Sequence, residues 1–274
     1  MELSEAVAVV TGGGAGIGAA LARRLSREGA RVVVNDLDKT RATRIAREVG
    51  GHAVACDAST DAGVDRLLSQ ARGTYGEIDL FCANAGVARG GGPEAPDEAW
   101  ATSWEVNVMA HVRAARALLP AWLARGRGHF LATVSAAGLL SHVTAAPYAV
   151  SKHGTLAFAE WLSIVHGDQG ITVQALCPQG VRTDMLLGGD DAGRALLLDD
   201  ALTPEEVADT AVGELGSGRF LILPHPEVAR YELHRATDRE RWLAGMRRIS
   251  ERVKSAGSKS TESAGDHPPS PPPP

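Results

Sequence analysis

Residues 7–18 read VAVVTGGGAGIG, a valine-rich apolar run that ends in a cluster of glycines. β-Branched valine favours a strand, whereas the alanine- and leucine-rich segment that follows favours a helix. A glycine-rich turn between a strand and a helix surrounds an anion with free backbone N–H groups and the positive end of the helix dipole. The stretch therefore predicts a pyrophosphate-binding loop, with Gly12, Gly16, Ile17 and Gly18 beside the phosphates.

Further apolar runs recur along the chain. They occupy residues 30–35, 52–56, 78–83, 129–134, 171–177 and 220–223, and segments able to form helices lie between them. Near-continuous apolar strands that alternate with helices indicate a parallel sheet buried on both faces. Because the crossovers in such sheets are nearly always right-handed, we expect an α/β doubly wound parallel sheet, a Rossmann fold. This single domain is predicted to span residues 1–225.

Three segments fall outside this alternation. Residues 183–202 are rich in apolar side chains and glycine, and we expect them to form a mobile flap. Residues 226–253 predict a charged amphipathic helix, in which an apolar stripe begins at Trp242 and ends at Val253. Residues 254–274 are rich in Ser, Gly and Pro and end in four prolines, which predicts a disordered tail.

The composition excludes several classes of protein. The 274 residues are 44% hydrophobic and 22% charged, as in globular domains, and the net charge of −5 argues against a nucleic-acid partner. Three cysteines without a Cys-x-x-Cys pair predict neither a disulfide framework nor a zinc site. The acidic start MELSE does not resemble a secretion signal, and no apolar run is long enough to span a membrane. We therefore expect a cytoplasmic protein with a small-molecule substrate, no metal and no membrane partner.

An acidic residue ends the second predicted strand, at the sheet edge where such folds bind ligands. Asp36 lies eighteen residues after Gly18, and its carboxylate is placed to accept hydrogen bonds from the adenosine ribose. The same charge would repel the additional phosphate of NADP, and the next residue, Leu37, is not basic. The sequence thus predicts NAD as the cofactor. The alternative is that Asp36 only begins a turn.

Polar or small residues also follow the third and fourth strands at the same edge. Asp57 and Ala58 follow the third strand, where Asp57 is predicted to contact the adenine amino group. Asn84, Ala85 and Gly86 follow the fourth strand and are predicted to border the cofactor. As a common turn residue, Asn84 needs no function of its own.

The segment YAVSK, residues 148–152, carries the strongest chemical signal. Tyr148 and Lys152 are four residues apart and share one helix face, and Lys152 is one of only four lysines. An ammonium about 4 Å away stabilises a phenolate by about 4 kcal/mol at an effective dielectric of 20, or about 3 pK units. The pair therefore predicts a tyrosine whose lowered pKa suits a general base for an alcohol proton.

Two further residues are candidates for the same chemistry. Ser135 ends the fifth predicted strand, and its hydroxyl could hold the substrate oxygen against Tyr148, although serine is also common in turns. Asn107 lies within a predicted helix, where asparagine is unfavourable. It either kinks the helix and holds a water that relays protons to Lys152, or is a polar residue on the helix surface.

Together these residues resemble the short-chain dehydrogenase/reductase family, in its shorter single-domain branch, over residues 3–225. The resemblance implies a catalytic tetrad of Asn107, Ser135, Tyr148 and Lys152, with Tyr148 and Lys152 also bordering the cofactor. It implies that Pro178, Val181 and Thr183 contact the nicotinamide end of the cofactor. It also implies a homodimer or homotetramer that assembles through long helices near 104–124 and 147–167. One departure is Gln179, because the family usually has glycine after this proline.

The sequence therefore predicts an NAD-dependent oxidoreductase that transfers a hydride between a secondary alcohol or ketone and the nicotinamide. The apolar flap suggests a hydrophobic substrate. Two alternatives remain. One is an NAD-binding regulatory or sensor protein with vestigial catalysis, and the other is an NADPH-dependent ketone reductase.

Overall fold

A computed structural model describes residues 1–188, 194 and 196–263, with 256–263 described by their backbone alone. The strands in this part of the chain are β1 Val7–Val10, β2 Arg31–Asp36, β3 His52–Ala55, β4 Leu80–Ala83, β5 Gly128–Thr133, β6 Ile171–Leu176 and β7 Leu221–Ile222. Its α-helices are α1 Gly16–Arg27, α2 Lys39–Glu48, α3 Asp61–Tyr75, α4 Asp97–Trp104, α5 Ala110–Arg125, α6 Ala136–Leu139, α7 Ala146–His166, α8 Asp184–Leu187, α9 Pro204–Gly213, α10 Glu227–Thr237 and α11 Arg239–Ser263. A π-helical turn, Glu105–Met109, joins α4 to α5, and a 3₁₀ turn, Gly167–Gln169, follows α7.

The strands form one sheet in the order β3-β2-β1-β4-β5-β6-β7, and every pairing is parallel. The chain runs outward from β1 to β3, then crosses back to β4 and runs outward again. This reversal between β1 and β4 is the topological switch point, where doubly wound sheets bind their ligands. The predicted fold class and all of the predicted strands are confirmed.

Two apolar cores cover the two faces of the sheet. On one face α1, α2 and α9 pack against alternate strand residues such as Val10 and Val34. On the other face α3, α5 and α7 pack around Phe81, Phe130 and Trp122. Since both faces are covered, the strands are apolar along their whole length, which is why they read as continuous runs in the sequence.

The C-terminal region differs in detail from the single helix predicted over 226–253. Two helices, α10 and α11, meet at Asp238, whose carboxylate accepts a hydrogen bond from the Arg241 N–H at 2.9 Å and so begins a new helix. Trp242 packs against the core, as the stripe predicts. The second helix continues to Ser263, into a stretch that contains no proline. The prolines follow it, in the part of the predicted tail (264–274) that lies outside the described residues.

The segment predicted to be a flap is clamped at its base. Arg182 N–H donates to Leu202 O at 2.9 Å, and Leu202 N–H donates to Gly180 O at 3.1 Å. Beyond this clamp, Met185 and Leu187 on α8 expose about half of their side chains. Residues 189–193 and 195 of the segment lie outside the described part, and its mobility stays a prediction. None of the helices in the described ranges has the length and apolar character that crossing a membrane requires.

Candidate active site

The glycine loop between β1 and α1 is shaped for close approach by a ligand. Gly12 and Gly16 adopt left-handed conformations, with φ of 61° and 50°, which residues with a Cβ rarely adopt. A Cβ on Gly18 would lie 2.1 Å from Gly12 O, so the packing of α1 on the loop requires glycine there. Ile17 packs partly against the core. Because Ala15 provides no side-chain cap, the first N–H groups of α1 remain able to bind a phosphate.

The carboxylate of Asp36 is joined to this loop. Its Oδ2 accepts a hydrogen bond from the Gly14 N–H at 3.0 Å, and its Oδ1 accepts one from the Asp38 N–H at 2.9 Å. The side chain thus stands at the end of β2 beside the glycines, as predicted, and it also stabilises the turn there. Leu37, the next residue, is 74% exposed.

Two arginines of α2 also reach the glycine loop, and the pattern of strand ends did not predict them. Arg44 Nη2 donates to Gly14 O at 3.1 Å. A Cβ on Gly14 would lie 2.7 Å from Arg41 Cβ, and the Arg41 guanidinium is 3.6 Å from the Asp38 carboxylate. Their spacing of three residues, which places both on one face of α2, was the available signal.

Asp57 and Ala58 lie at the same edge, after β3. Ala58 is buried, whereas Asp57 is exposed and its Oδ1 accepts hydrogen bonds from the Ser59 N–H and Oγ at 2.9 and 2.6 Å. The position agrees with the predicted one, and the contact with adenine stays a prediction.

Thr11 connects the ends of β1 and β4. Its Oγ1 accepts hydrogen bonds from the N–H groups of Asn84 and Ala85 at 2.9 and 3.0 Å. Asn84 Nδ2 donates back to Thr11 O at 3.0 Å, and Asn84 Oδ1 accepts from Thr133 Oγ1 at 3.2 Å. Asn84 therefore braces three strand ends rather than simply forming a turn. Thr11 is the first residue of the glycine-rich motif, but its role in joining the two strand ends was not predicted.

Asn107 lies in the π-helical turn and is fully buried, so the interpretation as a helix-surface residue is wrong. Its Nδ2 donates to Val87 O and to Ser151 Oγ, and its Oδ1 accepts from the Val87 N–H, each at 2.9 Å. Its main-chain oxygen accepts from Thr155 Oγ1 at 2.7 Å. A methyl group on Gly86 would lie 3.2 Å from Asn107 Oδ1. The predicted distortion of the helix is present, and the water relay stays a prediction.

The structure brings Ser135, Tyr148 and Lys152 together at the ends of β5 and β6. The Ser135 side chain lies beside the Tyr148 phenol and favours a lower pKa for it. Lys152 Nζ lies 5.8 Å from the centre of the Tyr148 ring and donates to Thr133 O at 2.9 Å. A methyl group on Gly86 would lie 3.5 Å from the same Nζ, so Gly86 leaves the space above the ammonium open.

The charges of this group differ from those predicted. Burial raises the pKa of Tyr148 above its usual value, and the neighbouring Ser135 side chain opposes this effect. Burial also lowers the pKa of Lys152 to about 8. The expectation that the neighbouring ammonium alone lowers the tyrosine pKa is therefore wrong for the protein by itself. Desolvation of the phenolate is the dominant effect on this group.

The loop after β6 places its residues against the rest of the site. Pro178 O accepts hydrogen bonds from the Ala136 N–H at 2.8 Å and from Ser135 Oγ at 3.4 Å. Val181 is buried, and Thr183 Cγ2 would lie 3.0 Å from a Cβ on Gly16. This loop therefore packs against Ser135 at one end and beside the glycine loop at the other.

Three histidines near these residues were not predicted. His111, one helical turn after Asn107, is buried and neither ring nitrogen has a hydrogen-bond partner among the described residues. Its pKa is lowered to about 3, mainly by burial and secondarily by the charge of Lys152. His142 lies edge-on to the Tyr148 ring, with ring centres 6.3 Å apart. His225 contacts the loop after β6. A single histidine in the sequence does not indicate which distant residues it will contact.

Comparison with known proteins identifies the family. The family model described as short chain dehydrogenase matches residues 6–190. The chain belongs to the short-chain dehydrogenase family. This short-chain dehydrogenase is 38% identical over 237 residues to 1-deoxy-11-beta-hydroxypentalenate dehydrogenase of Streptomyces exfoliatus, which covers 83% of this chain and 86% of that relative.

Two further similarities concern a human enzyme and a solved structure. The short-chain dehydrogenase is 33% identical over 192 residues to human epidermal retinol dehydrogenase 2, covering 66% of this chain and 62% of the relative. It superposes with a TM-score of 0.79 on a short-chain dehydrogenase/reductase of Burkholderia phymatum in complex with NAD, at 28% identity over 88% of this chain and 96% of that one. The protein is thus an oxidoreductase that acts on a secondary alcohol or its ketone with a nicotinamide cofactor. The predicted family and reaction class are confirmed.

Proposed function

We propose that this short-chain dehydrogenase interconverts a hydrophobic secondary alcohol and its ketone with NAD, and that Tyr148 exchanges the hydroxyl proton. One observation carries the proposal. The Tyr148 side chain lies beside that of Ser135, and Lys152 Nζ lies 5.8 Å from the centre of its ring, at the same sheet edge as the glycine loop. These groups are the ones that a proton transfer to or from a carbinol oxygen requires.

The residues present fit NAD. The uncapped start of α1 suits the pyrophosphate, since its N–H groups and a loop without Cβ atoms allow close approach. The Asp36 carboxylate, held beside this loop by the Gly14 N–H, suits the ribose hydroxyls of NAD and repels a 2′-phosphate. Pro178, Val181 and Thr183 would border the nicotinamide end. When bound, the nicotinamide ring takes up or returns the hydride of the reacting carbon.

The proton follows a path through the side chains of this chain. Ser135 Oγ holds the substrate oxygen beside the Tyr148 hydroxyl. In oxidation the Tyr148 phenolate takes the alcohol proton while the C–H electron pair leaves as hydride, and in reduction the phenol returns that proton to the ketone oxygen. Lys152 uses one N–H to hold Thr133 O at 2.9 Å and has two others for the cofactor ribose and for the negative charge on Tyr148.

Burial of Tyr148 determines the direction of the pH dependence. Because burial raises its pKa, the phenol form predominates at neutral pH in the protein alone. Oxidation needs the phenolate, so its rate is expected to rise with pH, whereas reduction needs the phenol and is expected to fall with pH. The positive charges of Lys152 and of the oxidised nicotinamide both favour the phenolate.

A hydrophobic substrate is supported by two observations. The segment after β6, which is clamped at its base, exposes large apolar side chains at Met185, Leu187 and Leu196. The related enzymes are named for hydroxypentalenate and retinol. We therefore place the substrate among bulky, mostly apolar alcohols.

The proposal is tested with Tyr148→Phe. Secondary alcohols from cyclohexanol to terpenoid and steroid alcohols are incubated with NAD, and NADH formation is followed at 340 nm. Wild type is expected to oxidise at least one bulky alcohol, and Tyr148→Phe to lose about 10³-fold or more in kcat with unchanged NAD binding. Tyr75→Phe, on the far end of α3, is the matched control and is expected to retain activity. Retained turnover in Tyr148→Phe would remove the proton-transfer role.

An NADPH-dependent ketone reductase is a second candidate, because Arg41 and Arg44 lie beside the glycine loop. A 2′-phosphate could pair with these guanidinium groups if Asp36 did not repel it. The ratio of kcat/KM for NAD and NADP decides between the two cofactors. A clear preference for NADP would overturn the assignment of Asp36.

Self-association through α5 and α7 is also proposed. Val150, Trp161 and Ile164 expose half or more of their side chains on α7, and exposed apolar side chains that lie together mark a surface for association. Light scattering of wild type and Ile164→Arg measures the assembly, and a dimer or tetramer that dissociates in the variant supports the proposal.

We also propose a cytoplasmic location, consistent with three cysteines that are all free.

A further inference from the structure

His225 lies just after β7 and is almost completely buried, with 4% of its surface exposed. Its Nδ1 accepts a hydrogen bond from the Gln179 N–H at 3.2 Å. A ring nitrogen that accepts carries no proton, so the ring is neutral and its proton is on Nε2. That Nε2 is buried and has no partner among the described residues. Only Nδ1 therefore connects His225 to the active-site loop.

The contact continues the hydrogen-bond ladder between β6 and β7 beyond the end of the strands. Ala175 N–H donates to Phe220 O at 2.8 Å, and Cys177 N–H donates to Ile222 O at 2.9 Å. Donors toward β7 recur at every second residue of β6, so Gln179 provides the next one after Cys177. The His225 ring accepts this donor in place of a strand carbonyl. Without it, the loop would leave the sheet at Cys177.

The carbonyl immediately before this donor holds the serine of the site. Pro178 O accepts from Ser135 Oγ at 3.4 Å and from the Ala136 N–H at 2.8 Å. The peptide unit between Pro178 and Gln179 thus has its oxygen on Ser135 and its N–H on His225. Because a peptide unit is planar and rigid, a rotation at one of its ends displaces the other.

We propose that His225 is a positioning residue for the oxidoreductase reaction. Its Nδ1 fixes the orientation of the Pro178–Gln179 peptide and, through the Pro178 carbonyl, the position of the Ser135 hydroxyl beside Tyr148. The proposal rests on the proposed role of Ser135.

Two substitutions separate the ring nitrogens. In His225→Asn, the amide oxygen can take the place of Nδ1 and accept from Gln179. In His225→Gln, the longer amide reaches the position of Nε2 and leaves the Gln179 N–H without an acceptor. His225→Leu removes both nitrogens. Circular dichroism and thermal unfolding first establish that each variant is folded.

The first readout needs no substrate. Hydrogen exchange of the Gln179 amide, followed by mass spectrometry of peptides that span it, reports the bond to Nδ1. We expect exchange at least about tenfold faster in His225→Gln and His225→Leu than in wild type, and near-wild-type exchange in His225→Asn. Equal exchange in wild type and His225→Gln would overturn the proposal whatever the activity of the enzyme.

The second readout is turnover of the best alcohol from the panel that tests the proposed function. His225→Gln and His225→Leu are expected to lose about tenfold or more in kcat, with KM for NAD changed less than twofold, and His225→Asn to recover most of kcat. Equal losses in Asn and Gln variants would mean that His225 only supports the fold, and would overturn the positioning role. A wild type inactive on every alcohol would instead overturn the proposed function, and with it the kinetic claim, while the exchange result stands by itself.

Discussion

The side-chain amide of Asn107 pairs with the main chain of Val87 through two hydrogen bonds, Nδ2 to Val87 O and Val87 N–H to Oδ1, both 2.9 Å. This pairing fixes the segment after β4 against the π-helical turn. Val87 and Asn107 are twenty residues apart in the sequence. The amide is the only neutral side-chain group that donates and accepts in this geometry.

Asn107→Asp is expected to destabilise the fold and reduce activity. Aspartate keeps the acceptor for the Val87 N–H but loses both donors and brings a charge into a fully buried site. The free energy of unfolding should fall by about 3 kcal/mol, measured by urea denaturation. Ser151→Ala, which removes one acceptor of the same amide, should cost about 1 kcal/mol. Equal losses in the two variants would contradict the importance of the Val87 pair.

Lys152→Met is expected to abolish turnover yet leave the fold as stable as wild type at pH 7, or more stable. Burial lowers the pKa of Lys152 to about 8 from 10.5, so the folded protein holds the ammonium at a disadvantage below pH 8. Between pH 8 and 10.5 the unfolded state binds more protons at Lys152 than the folded state does. The free energy of unfolding of the wild type should therefore rise by about 3 kcal/mol across this range. Thermal unfolding of both proteins from pH 7 to 10 checks this. A wild-type curve parallel to the variant's would contradict it.

Local patterns were sufficient to predict the strands, the glycine loop and the helix that carries Tyr148 and Lys152. Each of these features depends on residues close together in sequence. The strands follow from valine runs, the loop from clustered glycines, and the helix pair from a spacing of four residues. Burial depends on the whole fold, and for this reason the raised pKa of Tyr148 was not foreseen. The His225 contact with Gln179 joins residues distant in sequence, and no spacing rule indicates it. The spacing of Arg41 and Arg44 places them on one face of α2, but it does not show that this face meets Gly14.

Asp36→Ser is expected to shift cofactor preference toward NADP. The substitution removes the negative charge beside the ribose position and leaves Arg41 and Arg44 next to the same loop. We expect kcat/KM with NAD to fall about tenfold, since the contact to the Gly14 N–H is weakened too, and kcat/KM with NADP to rise by a similar factor. Leu37→Arg, which adds a cation but keeps Asp36, is the control and should change the ratio less. An unchanged ratio in Asp36→Ser would exclude this carboxylate as the discriminating group.

His111→Leu is expected to stabilise the protein, increasingly so in acid. At pH 7 the substitution removes two buried ring nitrogens without partners, a gain of about 1 kcal/mol. Burial lowers the His111 pKa to about 3 from 6.5, so below pH 6.5 the unfolded state binds a proton that the folded state does not. Wild type should therefore lose about 3 kcal/mol from this group by pH 4.5, a loss that the variant lacks.

His129→Leu is the control. Burial also lowers the His129 pKa, to about 4, but its ring contacts Gln174 at 2.9 Å. Since the substitution removes this contact, His129→Leu should be less stable than wild type at pH 7. Urea denaturation at pH 7 and 4.5 measures both. A constant difference between His111→Leu and wild type would show that the folded state protonates His111 as readily as the unfolded state does.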